Sequence, residues 1–326
     1  MATKAVSPNA ADVAVGNKTS SRTVALIIIG LLVILVAPFL VYPVFVMKVL
    51  CFALFAAAFN LLLGYVGLLS FGHAAFFGGA AYISAHAIKV WGFPPEIAIL
   101  TGTAFAALMG LVFGYVAIKR QGIYFAMITM ALAQMFYFFC LQAPFTGGED
   151  GIQGVPRGKL FGFIDLANPY NIYYFVAAVF LIGFAFLWRV VHSPFGSILK
   201  AIRENEQRAI SLGYRVSRYK LGAFVISATL AGLAGATKAL VFQLASLTDV
   251  GFQMSGEVVL MTLLGGIGTL MGPIIGAVLV VSLENYLATS SLPVPVVIGT
   301  IFVICVLVFR RGIVGEFNAF MDRKRG

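Results

Sequence analysis

The sequence predicts an all-α integral membrane protein of about ten transmembrane segments, some of them short or broken at glycines. Hydrophobic residues occupy 61% of the 326 positions and charged residues only 10%, whereas soluble domains carry about 25% charged residues. Apolar runs long enough to cross a bilayer, which takes about 20 residues, follow one another along the chain. They lack the period-two alternation of a membrane β-barrel, so helices are the predicted spanning element.

Ten apolar segments are predicted in chain order. They lie at 24–42, 44–64, 71–89, 96–118, 121–142, 172–191, 218–242, 255–268, 272–289 and 294–309. The segments 255–268 and 272–289 are short and separated by glycines, so each is either a full crossing or a half-helix. No small-residue cleavage pattern ends the first run, which favours an uncleaved helix over a signal peptide.

The distribution of basic residues predicts the orientation of these segments. Lysine and arginine concentrate in the tails and in loops on one side, as they do in cytoplasmic loops of membrane proteins. The chain thus divides into a cytoplasmic tail (1–22), a transmembrane domain (23–310) and a second cytoplasmic tail (311–326). A smaller basic set falls on the outer side or in the outer half of the membrane: Lys48, Lys89, Arg157, Lys159 and Lys238.

Two hydrophilic loops stand out, an outer one at 143–171 and an inner one at 189–217. Within the inner loop, a helix is predicted over 198–212, with Ser197 as its N-cap and Gly213 as its left-handed terminal residue. This helix is too short and too charged to span a membrane. Its apolar ends and charged centre favour docking of a partner protein; a solvated connection and a helix that binds lipid headgroups are the alternatives.

Two glycine-rich breaks occur at similar places in the two halves of the chain. Glycine-interrupted short helices in matching positions are typical of transport pathways in repeat-built transporters. The alternative is that these glycines only allow close helix packing. The residues predicted to line or gate a path are Gly64, Gly67, Gly72, His73, Gly265, Gly266, Gly268, Gly272 and Pro273.

Four ionisable residues lie within or beside the predicted spans. His73 is either a hydrogen-bonded packing residue or part of a gate. Lys238, Glu257 and Glu284 either face a cavity or a partner charge, or reach towards the membrane surface.

The motifs of several enzyme classes are absent from the sequence. The Gly158-Lys159 pair is followed by Leu160 and lacks the upstream glycine of a phosphate-binding loop, so the chain is not expected to bind ATP by that mechanism. It also lacks HExxH, a cysteine or histidine cluster and a serine nucleophile elbow. The sequence therefore predicts a transport subunit, with no catalytic residues, no metal site and no cofactor of its own.

Five motifs in order along the chain resemble those of the LivM-type permease family. They are GYVGLLSFGHAAFFG at 64–78, TGGEDGI at 146–152, AIREN at 201–205, YKL at 219–221 and LGGIGTLMGP at 264–273. The resemblance extends from about residue 44 to 311. It implies one membrane subunit of an ATP-driven importer for leucine, isoleucine and valine in a bacterial inner membrane.

The resemblance also implies partners and roles for particular residues. The expected partners are a LivH-type sister permease, two cytoplasmic ATPase subunits that bind ATP and Mg²⁺, and a periplasmic amino-acid-binding protein. The inner helix is then the coupling helix, with candidate ATPase contacts Arg203, Glu204, Asn205, Glu206, Gln207, Arg208, Ala209 and Gly213. In the outer loop, candidate contacts with the binding protein or substrate are Thr146, Gly147, Gly148 and Asp150.

One departure from the family pattern concerns the coupling helix. Importer permeases often carry Glu-Ala-Ala followed three residues later by glycine, and here the matching stretch is Gln207-Arg208-Ala209 before Gly213. Gln207 replaces the acid and Glu206 is displaced by one position, so either acid of the helix remains a candidate contact. A urea or short-amide permease of the same group, and less readily an ion-coupled secondary transporter, stay open as alternative functions.

Overall fold

The computed structural model describes residues 30, 32, 34–288, 296–297, 299–300, 303 and 312–316. Residues 34–40 are helical. Ten α-helices with defined ends follow: α1 Pro43–Asn60, α2 His73–Lys89, α3 Pro95–Ala117, α4 Ile123–Gln142, α5 Pro169–Val191, α6 Pro194–Glu204, α7 Glu206–Ser211, α8 Val216–Phe242, α9 Phe252–Gly265 and α10 Gly272–Leu287. The predicted all-α membrane fold is confirmed.

Among the described residues, five helical stretches are long and apolar enough to cross a membrane: Pro43–Val66, Pro95–Ala117, Ile123–Gln142, Pro169–Val191 and Val216–Phe242. Each matches a predicted span within a few residues. The short helices α9 and α10 are also apolar and flank the predicted glycine break. Eight of the 19 residues of the predicted first span, 24–42, and eleven of the 16 residues of the predicted last span, 294–309, lie outside the described residues, so the count of ten remains a prediction.

Helix α8 forms the centre of the fold and packs against α1, α2 and α3. Its close approach to α2 depends on Gly235, where a Cβ atom would lie 1.9 Å from the Phe77 carbonyl oxygen. Helix α4 lies at the periphery of the bundle. Only 28% of its most apolar 18-residue stretch is buried, against 94% of the corresponding stretch of Pro43–Val66. Because water-soluble proteins rarely expose so large an apolar face, the outward face of α4 is suited to lipid or to another subunit.

A buried ion pair lies near the end of α8. Lys238 Nζ is 2.8 and 2.6 Å from the two carboxylate oxygens of Asp249, and the two residues are 8% and 2% exposed. Asp249 also accepts hydrogen bonds from the main-chain N–H and hydroxyl of Ser246. Of the two interpretations left open for Lys238, the structure favours a partner charge rather than reach towards the surface.

The loop 143–171 is folded against the end of α8 that is remote from α6 and α7. It contains short strands that the sequence analysis did not predict. β1 (Ile152–Gln153) pairs antiparallel with β4 (Leu244–Ala245), and β2 (Lys159–Leu160) pairs antiparallel with β3 (Ile164–Asp165). Arg157 reinforces this packing by donating to the Val241 carbonyl at 2.9 Å.

The inner loop holds two helices, so the predicted single helix 198–212 is wrong in its extent. Ser193, not Ser197, caps α6, because its hydroxyl accepts from the Gly196 N–H. The chain breaks at Asn205, whose extended backbone (φ −156°, ψ 98°) separates α6 from α7. The predicted left-handed end is correct, with φ +86° at Gly213.

Candidate functional site

The α6–α7 pair lies on one surface of the helical bundle, between the ends of α5 and α8. Asn205 begins α7 as its N-cap, since its side-chain oxygen accepts from the Arg208 N–H at 3.0 Å. At the other end, the Gly213 N–H donates to the Ile210 carbonyl and the Tyr214 N–H to the Ala209 carbonyl, which is a Schellman ending. The side chain of Asn205 is therefore engaged within its own loop.

A charged hydrogen bond links these surface helices to the first glycine break. Arg203, near the end of α6, donates from Nη1 to the Gly64 carbonyl. Helix α1 continues into a wider π-helical turn, Leu61–Val66, that ends at Gly67 with φ +80°. The last carbonyls of a helix have no partner within it. The guanidinium supplies a donor to one of them and thereby attaches α6 to the end of α1.

Asn60 binds the second break with both atoms of its amide. Its Nδ2 donates to the Thr269 carbonyl at 2.8 Å, and its Oδ1 accepts from the Gly268 N–H at 3.0 Å. The side chain is 1% exposed, and an amide suits the position because it supplies a donor and an acceptor together. The sequence analysis missed Asn60. Its only signal there is a single amide inside a long apolar run.

The two glycine breaks meet each other at this point. A Cβ at Gly64 would lie 2.3 Å from Asn60 Oδ1 and 2.7 Å from the Gly268 nitrogen. Gly268 itself has φ +78°, a conformation that favours glycine. We call Asn60, Gly64, Arg203 and Gly268 the junction. It joins segments that lie more than 200 residues apart in the sequence, as the pair Asn60–Gly268 illustrates.

Helices α9 and α10 contact each other next to the junction. A Cβ at Gly265 would lie 1.9 Å from the Gly272 carbonyl oxygen, so the two backbones touch. Gly266 follows with φ +120°. Pro273 occupies the first turn of α10, where its missing N–H removes no helical hydrogen bond. All predicted glycines of the second break are therefore needed for its geometry.

His73 lies in the core and is 0% exposed. Its Nε2 is 2.8 Å from the Ser227 hydroxyl, which donates to the Ala58 carbonyl at 2.6 Å. The serine proton is thus used, and Nε2 must be the donor to Ser227. Three rings surround the imidazole: Phe59, Phe76 and Phe224. The preceding Gly72 packs on the Thr129 carbonyl. The geometry favours the packing interpretation of His73 over a gate.

The remaining coupling candidates divide into internal and outward-facing residues. Glu206 forms an ion pair of 2.7 Å with Lys220 of α8. Ala209 is buried against Ile202 and Val216. By contrast, three polar side chains of this pair are exposed and have no side-chain partner among the described residues: Glu204, Gln207 and Arg208. These three residues are the accessible part of the predicted docking helix.

The predicted outer-loop contacts are placed differently from one another. Thr146 is 0% exposed, and its hydroxyl donates to the carbonyls of Cys140 and Ala143 at 2.5 and 2.6 Å. Gly147 and Gly148 form the following turn with φ +77° and +59°. Asp150 is exposed at the surface. Thr146 thus closes the end of α4, and Asp150 is the side chain accessible to a partner.

Comparison with known proteins identifies relatives of the chain. The family model described as "Branched-chain amino acid transport system / permease component" matches residues 42–309. The high-affinity branched-chain amino acid permease proteins LivM of Escherichia coli K12 and Salmonella typhimurium are each 28% identical over 245 residues. The alignment covers 68% of this chain but only 58% of those two proteins.

Permeases for other substrates are also similar to the chain. The ribose import permease RbsC of Bacillus subtilis is 30% identical over 232 residues, covering 68% of this chain and 70% of that protein. The autoinducer 2 import permease LsrC of Yersinia pseudotuberculosis is 27% identical over 203 residues, covering 60% and 56%. No solved structure matches the chain significantly.

Proposed function

The chain belongs to the family of branched-chain amino acid transport system permease components, and we propose that it is the LivM-type membrane subunit of an ATP-driven importer of leucine, isoleucine and valine. Members of this family are transport components rather than enzymes. The proposed complex adds a LivH-type sister permease, a periplasmic amino-acid-binding protein and two cytoplasmic ATPase subunits. ATP and Mg²⁺ belong to the ATPase subunits, and both chain termini lie in the cytoplasm.

The observation that carries this proposal is the junction. Through Arg203, the surface helix α6 is bonded directly to the end of α1, and through Asn60 that end is bonded to the loop between α9 and α10. A displacement of α6 by an ATPase would therefore move both glycine breaks together. Discontinuous helices of this kind are where transporters of several folds open and close their paths.

The surface around α6 and α7 supports docking of a protein. In addition to the exposed residues Glu204, Gln207 and Arg208, a groove of about 370 Å³ lies between the start of α6, the residues that follow α7 and the first turn of α8, and it contains aromatic rings and two arginines. The groove is lined by Phe195, Gly213, Tyr214, Arg215, Arg218 and Tyr219. Aromatic residues and arginine are enriched in protein interfaces, and the mixture of charges suits a protein better than an anionic membrane surface.

Charge reversal at the exposed positions tests the docking. In the double variant Glu204→Lys/Arg208→Glu, both side chains would meet the wrong charges on the ATPase, and losing a buried charged contact costs about 2–5 kcal/mol. Arg203 stays unchanged, since it bonds to Gly64 within the chain. We expect the variant to insert normally, to lose the ATPase subunits during mild detergent extraction and to transport nothing.

The variant Arg189→Glu is the matched control. Arg189 is exposed in the last turn of α5, on the same side of the bundle, and exposed charges contribute only about 0–1 kcal/mol. Full ATPase co-purification and uptake in the double variant would reject the docking surface. Loss in Arg189→Glu as well would show a general sensitivity of this side of the bundle to charge reversal.

The similarity to a ribose permease at 30% identity supports a second candidate substrate, a sugar. Urea or a short amide is a third. Uptake by a strain that lacks the chromosomal gene and carries this one on a plasmid distinguishes them. We expect accumulation of labelled leucine that excess isoleucine and valine reduce and that excess ribose or urea leaves unchanged. Competition by ribose alone would move the assignment to sugars.

A further inference from the structure

Three charged residues lie on α1, α9 and α10, which pack on one another, and nothing described so far uses them. Lys48 Nζ is 3.3 Å from Glu284 Oε2, and the two side chains are 29% and 17% exposed. The third residue, Glu257, lies on α9, which packs on the helices of the other two. Glu257 is partly exposed and has no hydrogen-bond or ion-pair partner among the described residues. We call these three residues the outer charge cluster.

The cluster lies at the opposite end of the bundle from α6 and α7. Lys48 precedes Asn60 by twelve residues and Glu284 follows Gly272 by twelve, which corresponds to about 18 Å along each helix at 1.5 Å per residue. Asn60 belongs to the junction, and Gly272 belongs to the second glycine break beside it. The cluster and the junction therefore occupy the two ends of the same three helices, α1, α9 and α10, which pack on one another.

Such charges are costly on a face that contacts lipid. Ionisable side chains inside the membrane layer face a water-filled cavity or a partner charge. Lys48 and Glu284 provide each other with a partner charge, but both side chains also retain access to solvent. Glu257 adds a second acidic side chain with no partner among the described residues, so the cluster has one acid that is available to bind a cation.

The combination of signs indicates the chemistry of the ligand. A free amino acid carries an ammonium group and a carboxylate on neighbouring atoms. A sugar carries neither, and it has no need of fixed charges of both signs. An acidic pair beside one lysine can bind both groups of an amino acid at once, through charge-assisted hydrogen bonds.

We propose that Lys48, Glu257 and Glu284 form a binding site for a zwitterionic amino acid at the outer end of the translocation path. Glu257 and Glu284 receive the α-ammonium group, and Lys48 receives the α-carboxylate after it exchanges Glu284 for the substrate. The site rests on the proposed function, because it assumes a path along α1, α9 and α10. It adds a selection for charge within the membrane subunit itself.

The test uses the assembled complex in proteoliposomes, with the binding protein saturated with labelled leucine outside and ATP inside. The variants are Glu257→Gln and Lys48→Met, and the control is Glu96→Gln. Glu96 lies in the first turn of α3, and its carboxylate accepts from the Phe161 N–H, an interaction that glutamine can retain. We expect Glu257→Gln and Lys48→Met to lower the maximal uptake rate by about tenfold or more. The concentration of loaded binding protein that gives half of this rate should stay unchanged.

An exchange variant separates substrate binding from a structural ion pair. Lys48→Glu/Glu284→Lys retains the pair with its charges swapped, so a purely structural pair would allow normal uptake. A substrate site would not, because the carboxylate and ammonium of leucine would then meet the wrong groups. Normal uptake in the exchange variant, or in Glu257→Gln, overturns the proposal. Loss of the sister permease from the purified Glu257→Gln complex also overturns it, and identifies a subunit contact instead.

Failure of the proposed function gives a different result. If the wild-type complex takes up no leucine under these conditions, the proposed function fails whatever the variants do. If the wild type transports leucine and the cluster variants transport it equally well, the binding site alone is refuted.

Discussion

Replacing Arg203 with methionine removes the bond between α6 and α1 but preserves much of the apolar stem of the side chain. The Gly64 carbonyl then loses its charged donor. Hydrogen bonds to charged groups contribute about 1.5–3 kcal/mol. Because Arg203 is accessible to solvent, water replaces part of this bond, and we take the lower end. About 1.5 kcal/mol corresponds to roughly a tenfold change in the fraction of molecules with α6 attached.

The expected consequence is uncoupling rather than loss of the complex. Arg203 is not among the outward-facing residues assigned to docking, so Arg203→Met should retain its ATPase subunits. Leucine imported per ATP hydrolysed, measured in proteoliposomes, should fall by about tenfold. Arg189→Met removes an exposed arginine on the same side and should leave this ratio unchanged. A ratio in Arg203→Met within about twofold of the wild type, with normal assembly, would refute the transmission of movement through the junction.

Two further substitutions test the fold around the path. Gly64→Ala places a Cβ 2.3 Å from Asn60 Oδ1, so uptake should be lost while the amount of protein in the membrane, measured by immunoblot, stays similar. The control Gly256→Ala, whose Cβ meets nothing within 4 Å, should transport normally. Equal uptake by both variants would contradict the close contact at Gly64. Lys238→Met leaves Asp249 buried without its partner, at a cost of about 3–5 kcal/mol. Its unfolding midpoint in detergent should therefore fall, and Lys238→Met/Asp249→Leu should recover most of the loss; no recovery would show that the charge pair is not the cause.

The membrane-spanning helices were predictable because hydropathy is a local property. An apolar run of about 20 residues either spans a membrane or is buried in a protein core. Accordingly, α1, α3, α4, α5 and α8 begin and end within a few residues of their predicted positions. The glycine breaks were also visible, since glycines between apolar runs interrupt the pattern at 64–72 and 265–272.

The division of the inner loop was not predicted, although its signals are present. Ser193 precedes Pro194, and a capping serine followed by proline at the first helical position is a helix start. Asn205 is a strong N-cap residue inside a sequence of good helix formers. The prediction gave Ser197 and continuous helix propensity more weight than these two local signals, and it therefore joined α6 and α7.

The junction and the outer charge cluster could not be predicted, because they depend on contacts between distant parts of the chain. Nothing in the residues around Asn60 specifies Gly268 as its partner, and Arg203 was assigned to an ATPase from its position on a charged surface helix. The pairing of Lys48 with Glu284 likewise requires α1 and α10 to be adjacent. Such contacts follow from helix packing, which the pattern of a single segment does not encode.

The energy source of uptake tests the central claim most directly. Membrane vesicles that contain the complete complex, with ATP held constant inside and the binding protein outside, are given labelled leucine in the presence and absence of a protonophore. A permease coupled to ATPases through α6 and α7 predicts that uptake requires ATP and continues when the proton gradient is collapsed. Uptake that proceeds without ATP and stops with the protonophore would contradict this account, and would identify an ion-coupled transporter instead.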